Sequence, residues 1–151
     1  MTALRLLLVL AGVTVVAFAL QRGADVRSCD DARGAAFGAA LAPQPEPLPD
    51  GGRALAADVV DHCRGSEALA LSARALVRIG AFAGAQRLAA TAVDRDPEAF
   101  AARTALAEVL EARGRPEEAQ VQRERARALN PRGPVPGAPP PAAPGSPGSG
   151  A

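Results

Sequence analysis

Cys29, Cys63 and His62 are the side chains of this 151-residue chain best suited to redox or metal chemistry. The chain has two cysteines and one histidine in all. No C-x-x-C pair occurs, so a thiol oxidoreductase lacks its motif. Zinc sites use ligands in paired spacings, whereas neighbouring residues such as His62 and Cys63 point about 100° apart on a helix. Cys29 and Cys63 therefore predict a disulfide, with two unlinked buried thiols as the other option. Catalysis finds little else. There is no nucleophile elbow and no phosphate-binding loop. The adjacent carboxylates Glu117 and Glu118 stand at a helix start, where capping explains them. The expectation is a non-enzyme with no cofactor and no metal.

A disulfide needs elements that bring its ends together. Asp30 to Leu41 is Ala-rich and reads as a helix, and Arg53 to His62 reads as another. The Pro-rich loop 42–52 separates them, with Pro43, Pro45, Pro47 and Pro49 followed by Asp50-Gly51-Gly52. In an antiparallel pair, the start of the first helix lies beside the end of the second, where Cys29 and Cys63 fall. Such a link, closing a loop of about 35 residues, contributes a few kcal/mol on the loop-entropy model. Segment 21–63 is thus expected to be a disulfide-linked helical hairpin.

Leu6 to Leu20 is an uninterrupted apolar run that follows Arg5 and ends at Gln21-Arg22. Residues 3–20 as a helix span about 27 Å, close to the roughly 30 Å hydrocarbon core of a bilayer. They predict a transmembrane anchor; a cleaved signal segment, with Ala17-Phe18-Ala19 as its processing site, is the alternative. Two cysteines beyond such a segment suit an oxidising compartment. The expected location is the cell membrane, single-pass, with the C-terminal domain extracytoplasmic, or secretion after cleavage near Ala19.

The net charge of +1 gives no general attraction to nucleic acid, and none is expected as a partner. The charge is uneven. From Leu20 to Cys63 four Arg face seven acids, a net of −3; from Arg64 to Arg132 twelve Arg face nine acids, a net of +3. With no Trp, no Tyr and four Phe, a core must be built from Ala and Leu. Such a core requires closely spaced helices and a staple.

Between Ser66 and Pro131 the chain repeats itself with a shift of 34. Ala73, Leu76, Gly80, Ala85, Gln86, Ala92 and Pro97 match Ala107, Leu110, Gly114, Ala119, Gln120, Ala126 and Pro131. The glycines and prolines fall where a helix pair must turn. Ser66 is expected to cap the first helix and Gly80 to end it. Asp96-Pro97-Glu98 is expected to open the next helix, and Gly114 to end it. Pro116 with Glu117 and Glu118 should open the last, which Pro131 stops.

These residues resemble the tetratricopeptide repeat family, whose unit is a 34-residue helix-turn-helix. The resemblance covers two units, about 64–97 and 98–131, within a repeat domain 64–132. It implies an all-α fold, a short α-solenoid of helical hairpins. The Cys29–Cys63 hairpin is then a degenerate first unit. Arg123 replaces a bulky apolar residue in the last helix, where no further unit follows, so that helix reads as a solvated end cap. The resemblance further implies a concave face lined by the first helix of each unit. Its residues would be Glu67, Ala70, Arg74, Val77 and Arg78, then Ala101, Thr104, Glu108, Glu111 and Ala112. Of these, Arg74, Val77, Arg78, Thr104, Glu108 and Glu111 are the candidate contacts to a protein or peptide partner. The Lys and Asn set with which the family clamps a C-terminal carboxylate is missing. The expected function is a membrane-tethered interaction or scaffold module. The alternative is a structural accessory subunit or spacer whose charged face is merely solvated.

Residues 133–151, GPVPGAPPPAAPGSPGSGA, carry no charge and little apolar bulk. They predict a disordered Pro-rich tail.

Overall fold

The computed structural model describes residues 2–42, 48 and 50–131, with side chains described from residue 12 onward. The Pro-rich tail 133–151, most of the loop 42–52 and the first half of the expected anchor therefore lie outside the described side chains. Among the described residues every regular element is a helix: α1 Thr2–Leu41, α2 Arg53–His62, α3 Ser66–Arg78, α4 Phe82–Arg95, α5 Phe100–Ala112 and α6 Pro116–Leu129. The expectation of an all-α fold is met.

The apolar run and the first hairpin helix are one element. α1 continues for 40 residues without a break, about 60 Å at 1.5 Å per residue. The expected boundary after residue 20 is not a break in the helix. The physical reason is local: the stretch from Gln21 to Ser28 contains no proline and no αL turn to stop a helix.

The later helices stack as hairpins. α3 packs on α4 and α5 on α6 within units; α3 packs on α5, and α4 on α5, between them. α1 packs on α2 and α3, and α2 on α4, so the cysteine hairpin forms a preceding layer. One apolar core runs from Ala32 and Ala36 of α1 through to Ala105 and Val109 of α5. Its large members, Val59, Leu69, Leu76, Leu88 and Val109, are few. Alanines fill the spaces: Ala73, Ala85, Ala89, Ala92, Ala102 and Ala105 are fully buried. A methyl side chain lets helix backbones approach closely, which is how an Ala-rich chain reaches a dense interior.

Both units turn in the same way. Gly80 and Gly114 have φ of 72°, in the left-handed region. In the first, the Gly80 N–H donates to Val77 O at 3.0 Å and the Ala81 N–H to Leu76 O at 2.9 Å. In the second, the Gly114 N–H donates to Glu111 O at 2.9 Å and the Arg115 N–H to Leu110 O at 2.9 Å. This pair of bonds is the Schellman motif, and it satisfies the last carbonyls of α3 and α5.

Two expected helix ends differ. Ser66 is the first residue of α3, behind Gly65, and makes no capping bond. Asp96 does not cap α5. Its Oδ1 accepts the Glu98 N–H at 3.2 Å in a turn containing Pro97, and α5 starts only at Phe100. An Asx turn competes for the same donors as a helix N-terminus, and here the turn wins. Pro116 does open α6, with Glu117 and Glu118 in its first turn as expected.

Candidate functional site

The first hairpin is anchored at its open end. Cys29, on α1, and Cys63, capping α2, form a disulfide with Cα atoms 4.7 Å apart. Cys63 is buried and Cys29 half-buried. The same corner is held from the other side by Arg95, the last residue of α4. Its guanidinium donates to the carbonyl oxygen of Cys63, and through Nη2 to that of Val60 at 2.9 Å. A cation on terminal carbonyls satisfies bare acceptors and complements the negative end of the α2 dipole. No residue pattern marks this contact, because Arg95 reads as an ordinary basic residue in a last turn.

The far end of the hairpin is clasped by glycines. Gly51 and Gly52 have φ of 61° and 79°. Asp50 holds this turn: its Oδ1 accepts the Gly52 N–H at 2.9 Å and its Oδ2 the Ala54 N–H at 2.6 Å. The Ala54 N–H above all keeps the Asp50 carboxyl below its ordinary value. Gly84 of α4 then presses onto the turn. Its N–H donates to Gly51 O at 2.9 Å, and a Cβ there would lie 2.2 Å from Gly52 O. Only glycine allows that approach.

The candidate partner-binding residues lie on α3 and α5, but most are occupied with one another. Arg74 Nε donates to Glu108 Oε2 at 2.8 Å, from one unit to the next. Glu111 pairs with Arg123 of α6. Thr104 is buried, with its hydroxyl 3.1 Å from Phe100 O and 3.0 Å from Ala101 O, the local bonding of a helical threonine. Val77 is half-buried against the core. Arg78 is exposed. Ala70, placed on the same face by the sequence, is buried against neighbouring helices. Among the candidates, the accessible charge is therefore Arg78, Glu111 and the Arg74–Glu108 pair.

Comparison with protein-family models, curated proteins and solved structures finds no match to the chain.

Arg123 differs from its expected role. It does not point outward as a solvated cap residue; it is 7% exposed and folds back onto Glu111. A buried guanidinium needs a carboxylate, and Glu111 supplies one at the position where the preceding unit has Val77. Next to it, Arg103 donates to Gln122 Oε1 at 2.9 Å and to Pro97 O at 3.0 Å. Polar side chains thus seal the last layer by pairing.

No group of three or more His, Cys, Asp or Glu that could hold a metal occurs among the described residues. Likewise, no helix among the described residues is long and apolar enough to cross a membrane. Residues 3–11 of the expected anchor lie outside the described side chains. The described part, from Gly12 to Leu20, is exposed throughout, with Val13, Val15, Val16, Phe18 and Leu20 between 58% and 68% exposed.

Proposed function

We propose that this chain is a membrane-tethered scaffold of tetratricopeptide-like hairpins, held outside the cytoplasm by its N-terminal helix and docking a protein or peptide partner. The observation that carries this reading is the contrast along α1. From Gly12 to Leu20 its apolar side chains are exposed, while Ala32 and Ala36 are buried in the stack. An apolar helix bare on all sides requires a non-aqueous surrounding or a partner. Arg22 stands 4.9 Å over the Phe18 ring where the apolar run ends, a pairing suited to a bilayer interface. The Cys29–Cys63 disulfide supports an oxidising compartment for the stack.

The hairpin layers, the matching turns at Gly80 and Gly114, and the buried alanines at the close-packing positions support the tetratricopeptide resemblance. Because α1 runs without a break, the nine residues from Leu20 to Cys29 place the stack about 13 Å beyond the apolar run.

One observation favours the second reading, a structural spacer within a membrane complex. Arg74, Glu108, Glu111 and Arg123 are paired internally, and Thr104 is buried, so most of the expected groove is spoken for.

Membrane fractions of cells expressing the full chain test both. Retention after alkaline extraction, together with protection of the stack from protease added on the cytoplasmic side, is the expected result. Release into the soluble fraction at high pH would remove the anchor. A photo-crosslinking residue at Arg78 should then label a discrete protein partner under the scaffold reading. Labelling from Val16 alone would favour the spacer.

A further inference from the structure

We propose that the Cys29–Cys63 disulfide is a redox-sensitive lock between α1 and the rest of the helical stack. Reduction would release the end of α1 while leaving α3 to α6 folded.

The structure divides into a strongly clasped part and a lightly held one. α2 is fixed to α4 at both ends, by the Arg95 guanidinium on Val60 O and Cys63 O, and by the Gly84 N–H on Gly51 O. The last turns of α1 have a thinner seam. Their fully buried side chains are Ala32 and Ala36, whose methyl groups contribute little apolar area. The ion pair of Arg33 with Asp30 and the hydrogen bond of Ser28 to Asp25 O both stay within α1. The covalent link therefore reinforces a seam that otherwise rests on the close packing of α1 against α2 and α3.

The chemistry is an ordinary exchange with a dithiol reductant. A thiolate of the reductant attacks the Sγ of Cys29, the less buried of the two residues, and the S–S bond breaks. The electron pair leaves on Cys63 Sγ, which takes up a proton. The second thiol of the reductant then attacks the mixed disulfide, freeing the Cys29 thiol and closing the reductant into its own disulfide. Two electrons and two protons enter the protein. The remaining alanine seam then has to hold α1 alone. On its release, the stack is joined to α1 only by the connecting chain before α2.

This inference does not depend on what surrounds the apolar end of α1, so it survives failure of the membrane reading. The test is hydrogen exchange of the full chain in detergent micelles, before and after dithiothreitol, with alkylation reporting two free thiols. The expected result is an increase in exchange of about 100-fold over residues 30–41, with protection kept in α3 to α6. The Cys29→Ser/Cys63→Ser double variant should show the same pattern without reductant. Unchanged protection of 30–41 in the fully reduced chain would overturn the proposal. So would loss of protection in all helices together, or refusal of the folded chain to be reduced.

Discussion

Arg74 and Glu108 hold the same place in consecutive units, 34 residues apart, and the Arg74 Nε reaches the Glu108 Oε2 at 2.8 Å. The pair ties α3 to α5 across the repeat boundary. Both side chains remain accessible, at 45% and 24%, so solvent screens the attraction. An ion pair of this exposure contributes about 0.2–1 kcal/mol. Glu108→Gln should therefore lower the melting temperature by only a few degrees, and the swap Arg74→Glu/Glu108→Arg should recover most of that. Circular dichroism melts of the three variants check this. If both charges instead contact a partner, the swap restores stability but not partner crosslinking. A loss above about 3 kcal/mol from either single change would contradict an exposed pair.

Gly84 is the position where a single methyl group should do most damage. Its added Cβ would sit 2.2 Å from Gly52 O, 2.6 Å from Gly52 C and 3.0 Å from the Leu76 side chain. The first two are backbone atoms, held by Asp50, and have nowhere to move. Gly84→Ala should cost about 3 kcal/mol or more, against an ordinary gain in helix propensity from the same change. At Gly80 an added Cβ meets open space, and only the φ of 72° opposes it. Gly80→Ala should thus cost about 1–2 kcal/mol. Urea unfolding of both variants gives the order directly; a Gly84→Ala protein more stable than Gly80→Ala would refute the clasp.

These two glycines also mark what a sequence makes legible. Gly80 and Gly114 announce themselves, because they recur at one period and a helix that ends in a Schellman turn needs a left-handed residue there, which glycine supplies best. The alanines at 73, 85, 107 and 119 are similarly readable, since the close contacts they permit recur with the repeat. Gly84 has no counterpart in the second unit, where Glu118 stands. Its reason lies in a loop more than thirty residues earlier, so no local pattern reveals it. The length of α1 was hidden for the opposite reason. Residues 12–20 are apolar and exposed while Ala32 and Ala36 are packed in the stack, and such a change in composition looks like a boundary although the backbone does not break. Arg123 reads as a solvated residue from sequence because its partner, Glu111, sits in a different helix. The pairing of Arg74 with Glu108 was equally invisible, for opposite charges on one face read as a binding surface until their distance is known.

Arg95 caps a helix that is not its own. Removing the guanidinium exposes the carbonyls of Val60 and Cys63 at the end of α2. Arg95→Leu should cost about 1–2 kcal/mol, from two charge-assisted bonds and the dipole interaction together. Arg95→Lys should recover less than half of the loss, because an ammonium cannot fork across two carbonyls. Hydrogen exchange should locate the change in α2 and leave α5 and α6 protected. A uniform rise across all helices would show that the contact acts on global stability instead.

Asp50 makes the acid side of the stability curve readable. Its carboxylate accepts the Ala54 and Gly52 N–H groups, and these bonds, the Ala54 one first, hold its pKa below the ordinary value, with the Arg53 charge adding to them. A folded pKa lower than the unfolded one means that the charged form binds the fold more tightly. The resulting stability is fully present above the unfolded value, about pH 3.9. It is lost as pH falls through the lower folded value. Asp50→Asn removes the charge and one acceptor oxygen, so the two N–H groups can no longer both be satisfied. The variant should melt lower than the parent at pH 7, and the gap should close as both are acidified to about pH 2. Melting curves across that range measure the gap. A constant offset at every pH would mean that Asp50 acts through the shape of its turn and that its charge has no part in holding Gly52 under Gly84.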